Sequence, residues 1–381
     1  MNNFYKRAAL VGVALSSLAS AVAQADQEVL IGLAGPLTGP SARIGKDLEN
    51  GAQLAISDAN AKHPTLGGKP VTFKLVSEDD QSDPRTAVTV AQRLVDAGVV
   101  GVVGHWNTGT SIPAARVYHD AGIAQVAPVA TGHAYTQQGF DTSFRIMGHD
   151  DDGGQVAGQY ALQTLKAQRI AVIDDRTAFG QGLADQFIKA VDAHGGKVVA
   201  REYVDDKTID FSAVLTTIRA QNPDLIFFGG VDSQAAPLAR RIKQLGIKAT
   251  LMGAGGFVSQ TFLQLAQNDG EGVTALEPGL AVAQMPGGQA FEAAYRARFK
   301  APIELHAPFA YDGVGVLIAA IEKADSTDPQ QYLPALRASQ YAGVTGTIAF
   351  DAQGNLKNPS FTVYQVKANQ WQPVSVVHGG Q

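Results

Sequence analysis

The sequence predicts an α/β protein with parallel, doubly wound sheets in two domains. Three observations carry that prediction. Short β-rich runs alternate with helical stretches along most of the chain, and such alternation builds parallel sheets covered by helices. The rhythm runs once before Gly148 and restarts after it. The chain of 381 residues also exceeds the roughly 250–300 residues at which a single core stops growing.

In the first half the strands are expected at residues 29–34, 71–77, 99–103 and 123–127. The third of these is nearly all apolar, as a strand buried on both faces should be. Helices are expected at 45–61, with Leu48, Ala52, Ala55, Ile56 and Ala59 on one face, and after Asp83-Pro84. That dipeptide reads as an N-cap followed by proline at the first helical position. A third helix is expected from about Ser111. After Gly148 the pattern gives helices at 153–166, 180–194, 210–221 and 233–245, and strands at 169–173, 197–203, 225–228 and 248–252. Gly246 reads as a left-handed cap on the last of these helices. The final hundred residues differ, with helices at 289–299, 311–324 and 329–337 before β-like stretches at 345–350, 361–366 and 371–376.

The amino terminus reads as a secretory signal. Lys6 and Arg7 precede an apolar run at 8–18, and Ala23-Gln24-Ala25 gives a small-x-small cleavage pattern. The run is shorter than the roughly 20 residues needed to span a bilayer. The mature chain is therefore expected to start near Asp26 and to be soluble in the periplasm. There are 30 basic residues against 35 acidic ones, a net charge of −5 with no basic block. That excludes nucleic acid and anionic membrane surfaces as expected partners. Without cysteine the fold must rest on ordinary cores.

Motifs for catalysis are missing. The sequence has no Gly-x-Ser-x-Gly elbow, no His-Glu-x-x-His, no Walker sequence and no nucleotide-binding glycine fingerprint after the first strand. The eight histidines are scattered without metal-ligand spacing. No enzyme activity, cofactor or metal is expected. Glu78-Asp79-Asp80 and Asp83 read as a solvated acidic turn with an N-cap. What stands out are polar turns at the carboxyl ends of expected strands, where open α/β sheets bind ligands. They are Gly104 to Ser111, Pro128 to Thr131, Asp174 to Phe179 and Gly229 to Ser233. The first offers hydroxyls and N–H groups at a helix start, which suits a carboxylate and equally a plain helix cap. On pattern alone Trp106 reads first as a core residue.

These residues fall into a known order. Gly39-Pro40 with Gly45, Asn50-Gly51-Ala52, Asp79-Asp80-Gln81-Ser82-Asp83-Pro84 and the turn at 104–110 come first. Ala130-Thr131, Phe179-Gly180-Gln181-Gly182, Asp210-Phe211-Ser212, Gly229-Gly230 and the stretch at 345–351 follow. In this spacing the chain resembles, over residues 28–350, the branched-chain amino acid binding proteins of ABC transporters, within the type I periplasmic binding proteins. The resemblance implies two Rossmann-like lobes joined by a three-crossover hinge and closing on a ligand. The expected division is residues 1–25 as signal peptide, 26–147 and 276–352 as the first lobe, and 148–275 and 353–381 as the second. It implies a monomer that hands a small ligand to a membrane permease. A periplasmic sensor handing the signal to a receptor would share the same sequence features.

The resemblance also implies a site. Thr108 and Thr131 would supply hydroxyl and N–H groups to a ligand carboxylate, with Asn107 and Ala130 beside them. The Val129 carbonyl would accept from a ligand amine. Ile44, Trp106 and Phe179 would line the side-chain pocket, and Asp232 would contact the ligand from the second lobe. Relatives carry a Glu or Asp that pairs with the ligand ammonium where this chain has Gly255. An unpaired buried ammonium costs several kcal/mol. Either Asp232, Glu277 or Asp150 takes over that charge, or the ligand has no α-amino group and is an aliphatic or aromatic carboxylate. Ser82 and Asn107 stand where some relatives have a disulfide pair.

Overall fold

The computed structural model describes residues 27–379. The expected signal peptide lies outside them. The first lobe opens with strand β1 (Gln27–Gly35), helix α1 (Ala42–Asn60), β2 (Thr65–Leu66) and β3 (Lys69–Asp79). Then come α2 (Pro84–Asp96), β4 (Gly101–Gly104), α3 (Thr108–Asp120), β5 (Ala124–Ala127), α4 (Ala134–Gln137) and β6 (Ser143–Arg145). The second lobe begins with α5 (Asp150–Gln163), β7 (Ile170–Asp174), α6 (Ala178–Ala193), β8 (Val198–Tyr203), α7 (Ser212–Ala220) and β9 (Leu225–Gly229). It continues through α8 (Asp232–Gln244), β10 (Thr250–Ala254), α9 (Gln260–Ala266) and β11 (Thr274–Pro278).

The two sheets repeat one design. The first runs β2-β3-β1-β4-β5-β6, and its strands pair in parallel apart from the short β2 at the edge. The second contains β8-β7-β9-β10-β11 in the same parallel winding. In each, the chain reverses its direction of travel between the first strand and the strand that follows on its other side. That reversal leaves a crevice at the strand ends. The strands at these places, β4, β7 and β9, are buried along their whole length. Side chains that cannot tolerate water on either face dictate helices above and below.

Helix faces follow the expected spacing. In α1, Leu48, Ala52, Ala55, Ile56 and Ala59 are buried, and they pack in clusters with the largely apolar α11 (Ala307–Ala324). Asp83 caps α2 by accepting from the Arg85 and Thr86 N–H groups at 3.0 and 2.8 Å, with Pro84 first in the helix. Gly246 takes φ +65 after α8, the left-handed cap expected there.

After β11 the chain returns to the first lobe as α10 (Gly288–Phe299), α11, α12 (Pro329–Arg337), β12 (Tyr341–Ala342) and β13 (Thr347–Ile348). It ends on the second sheet as β14 (Ser360–Lys367), antiparallel to β11, and β15 (Gln370–His378), antiparallel to β14. Three crossings therefore join the lobes. All three line a cavity of about 310 Å³ through Met147 and Gly148, Gly279 and Leu280, and Lys357 and Asn358.

The structure corrects several expectations. Residues 276–278 complete β11 in the second sheet, so a boundary at 276 cuts a strand. Its run, Thr-Ala-Leu-Glu-Pro, is broken by a charge and a proline and does not read as a buried strand. A boundary at 353 is early as well, because Asn355 is bonded to Arg145 and Thr136 of the first lobe. Helix α3 starts at Thr108 rather than Ser111, and α11 at Ala307 rather than 311. Of the stretch at 345–350 only β13 is strand. Of the acidic turn only Asp80 departs from the expectation, being fully buried against His105, while Glu78, Asp79 and Asp83 stay partly exposed.

Candidate functional site

The repeated winding places the expected site residues in matching positions. Ile44 lies in the helix after β1, Thr108 directly after β4, and Thr131 after β5. Phe179 lies in the helix after β7, Asp232 directly after β9, and Gly255 after β10. Thr108 and Asp232 each open a helix, behind the extended residues Asn107 and Val231. All six thus sit at the carboxyl ends of their sheets.

In the first lobe, Thr108, Ala130 and Thr131 are buried. The Thr108 hydroxyl accepts from the Gly132 N–H at 3.0 Å, which leaves its own hydrogen to donate. Two buried polar groups hold these turns. His105 places Nδ1 2.7 Å from Asp80 Oδ2 and Nε2 3.1 Å from the Tyr118 hydroxyl, which fixes the turn after β4. The Arg145 guanidinium donates to the Ala130 and Gly132 carbonyls at 3.0 and 2.9 Å, and to Thr136 and Asn355. Arg145 brings a buried positive charge under the loop that carries Thr131. Asp150, first residue of α5, faces the same loop, its N–H donating to the Thr131 carbonyl at 2.9 Å. Burial pushes its carboxyl up to about pKa 7, against the Thr131 hydroxyl and Arg145, which favour the ionised form. Among the described residues its Oδ2 has no hydrogen-bond partner.

The second-lobe half is built differently. Gly255 takes φ +63, and a Cβ there would lie 3.2 Å from the Phe179 ring. Phe179 therefore closes directly over the glycine. Below this turn Glu277, fully buried, accepts from the N–H groups of Gly256, Phe257 and Val258 at 2.9–3.1 Å, using both carboxyl oxygens. Burial pushes it up to about 7 even so. Asp232 accepts from the Ser259 hydroxyl at 2.5 Å and pairs with Arg43 of the first lobe. Burial raises its pKa, opposed chiefly by Arg43. Arg43 also reaches Glu304 at 2.8 Å.

The lobes are in contact across the cleft. Ile44, Leu48, Trp106 and Ala310 form an apolar cluster that Val129 and the second lobe's Val231 join. Beside it, Arg43, Ile44, Gly256, Ser259, Glu304 and His306 enclose a void of about 10 Å³, roughly one water molecule. His306 is held neutral, its pKa lowered to about 3 by burial and by Arg43. Among the described residues its Nδ1 and the Trp106 Nε1 have no partner. No group of three or more His, Cys, Asp or Glu among the described residues is arranged to hold a metal ion.

A sequence profile described as "Periplasmic binding protein" matches residues 28–370. The chain belongs to this family. It is 35% identical over 353 residues to a leucine-, isoleucine-, valine-, threonine- and alanine-binding protein of Pseudomonas aeruginosa, covering 93% of each chain. Among solved structures it is similar to a leucine binding protein from Thermotoga maritima, with TM-score 0.85, 25% identity, and 92% and 98% of the two chains covered. It is also similar to a branched-chain amino acid transporter substrate binding protein from Streptococcus pneumoniae in complex with isoleucine. There the TM-score is 0.84 at 25% identity, with 92% and 100% covered. Substrate binding, in two α/β lobes, is thus the role of this periplasmic binding protein.

Sequence reasoning misses Arg43, Glu304, Ser259 and His306 of this binding protein. Arg43 precedes Ile44, an expected site residue, but a single arginine in a first helical turn reads as solvated. Its partner Asp232 lies 189 positions away. His306 escapes notice because the pattern starts α11 only at 311. Glu277 proves to be bound by the turn above it rather than exposed to a ligand.

Proposed function

We propose that this chain is the periplasmic ligand-capturing component of an ABC importer, exported by a cleaved signal peptide and acting as a monomer that delivers its cargo to a membrane permease. The cargo is a small carboxylate with an apolar body, of the size of a neutral aliphatic amino acid. One observation carries the carboxylate. Thr108 at the start of α3 and Thr131 after β5 are joined through Gly132, over the buried Arg145 cation. Hydroxyls and N–H groups at a helix start, with a cation beneath, favour an anion. Ile44, Trp106, Val129 and Phe179 supply the apolar wall. Among the described residues no helix is long and apolar enough to cross a membrane.

Amino acids are what the relatives' names record. A second reading, a carboxylate without an amine, is favoured by Gly255, which offers no side chain to an ammonium. Native mass spectrometry of the freshly purified protein, followed by thermal-shift screening against amino acids and plain carboxylates, tests the function. Thr108→Ala is expected to weaken carboxylate binding by about 1–2 kcal/mol through a lost charge-assisted hydrogen bond. Unchanged affinity would mean that the carboxylate sits elsewhere.

A further inference from the structure

Binding an amino acid means burying its ammonium, and a buried cation needs an anion whose face is free. The second lobe brings four buried acids to its strand ends. Asp174 pairs with Arg201, Asp175 accepts from the Thr177 hydroxyl and N–H, and neither Glu277 nor Asp232 is free in this sense. Glu277 spends both oxygens on the N–H groups of Gly256, Phe257 and Val258. Asp232, 4% exposed, already holds a cation, the Arg43 guanidinium reaching across from α1, and a hydrogen bond from Ser259. At Gly255 an acid would need a left-handed backbone and a Cβ 3.2 Å from the Phe179 ring.

The cross-lobe position of Arg43 connects these sites. Its guanidinium links Asp232 of the second lobe to Glu304 of the first. It also borders the void beside His306. A cation supplied by the protein thus stands against the second-lobe acid, where a ligand ammonium would otherwise be required. A ligand ammonium brought to the same place would meet Arg43 as a like charge.

We infer that Arg43 takes the place of a ligand ammonium, and that the ligand is a small monocarboxylate without an α-amino group. Arg43 is then a specificity-determining residue, selecting against amino acids through its pair with Asp232. This rests on the proposal that the cleft binds a small carboxylate. Like its neighbour Asp151, Asp150 keeps an oxygen without a partner among the described residues, and it faces the Thr131 loop. Arg145 supplies the principal positive charge acting on it.

The test uses three ligands of one shape, leucine, 4-methylpentanoate and 4-methyl-2-oxopentanoate, titrated calorimetrically into the full mature protein freed of bound ligand. At least one amine-free acid is expected to bind about tenfold or more tighter than leucine. In Arg43→Gln, which releases Asp232, that preference should shrink by about tenfold or reverse. Circular dichroism checks that a change at this partly exposed position leaves the fold intact. Leucine binding tighter than both acids to the wild-type protein would overturn the inference while leaving the carboxylate proposal standing. Loss of such leucine binding in Asp150→Asn would identify the ammonium partner instead. A preference unchanged in Arg43→Gln would overturn the role of Arg43. Absence of binding by all three would overturn both the inference and the carboxylate proposal.

Discussion

The two halves of the cleft share one architecture and differ in charge. Thr108 and Asp232 both open the helix that follows the strand at the crevice, while Thr131 and Gly255 both follow the next strand. In the first lobe those positions carry hydroxyls above a buried cation, Arg145. In the second they carry an acid, already paired with Arg43, and a glycine above a buried acid, Glu277. The same backbone frame therefore presents hydroxyls over a cation, the anion site proposed above, on one side and a charge-paired acid beside a glycine on the other. Identical winding fixes where a site forms, and a handful of side chains fixes its sign.

The largest test of this contrast sets the two buried anchors against each other. Arg145 donates to Ala130, Gly132, Thr136 and Asn355. Arg145→Met strands those acceptors and leaves Asp150 without its cation, so a loss of about 3–5 kcal/mol is expected in urea unfolding of the ligand-free protein. Glu277→Ala strands three N–H groups but also removes a buried acid, and should cost less, about 1–3 kcal/mol. Equal losses would show that the anchors are equivalent and break the comparison.

A pH titration sharpens it. Glu277 is raised from 4.5 to about 7, chiefly by burial. Its contribution to stability is therefore fully present below pH 4.5 and lost as the pH rises through about 7. The size is on the order of 3 kcal/mol, since each tenfold change in proton affinity on folding is worth about 1.4 kcal/mol. Asp150, raised from 3.8 to about 7, acts in the same direction. Thermal unfolding of the ligand-free protein should show stability falling between about pH 5 and 8. In Glu277→Gln the part due to Glu277 should vanish while that of Asp150 persists. A slope unchanged by the substitution would remove Glu277 as its source.

The smallest effects come from the two glycines beside the site. A Cβ on Gly132 would come 2.2 Å from Thr108 Cγ2, so Gly132→Ala must displace the hydroxyl proposed to hold the carboxylate. Its effect should appear in affinity, about tenfold by calorimetry. Gly255→Ala meets only a ring at 3.2 Å but keeps φ +63. It should cost about 1 kcal/mol of stability, measured by the same urea titration, with a smaller change in affinity. A larger loss of affinity at Gly255 than at Gly132 would place the ligand against the second lobe.

Much of this frame is legible in the chain. The alternation of apolar runs with helical stripes predicts parallel sheets in two lobes. Strand-end turns draw attention to residues 104–111, 128–131, 174–179 and 229–233, and the family resemblance singles out Thr108, Thr131, Phe179 and Asp232 within them. Less legible is β11, whose glutamate and proline interrupt its apolar run. That glutamate is Glu277, so the residue that hides the strand is the one that anchors the second-lobe turn.

Read along the chain alone, the residues settle the winding, the signal-like amino terminus, the absence of known catalytic motifs and the lack of an acid at position 255. These are local properties, carried by periodicity and by residue type within a few positions. Which charges meet is settled in three dimensions. Arg43 and Asp232 are 189 positions apart, and Asp80 and His105 lie on different connections of one sheet. An ion pair is a statement about distance in space, and the spacing of residues along the chain does not encode it.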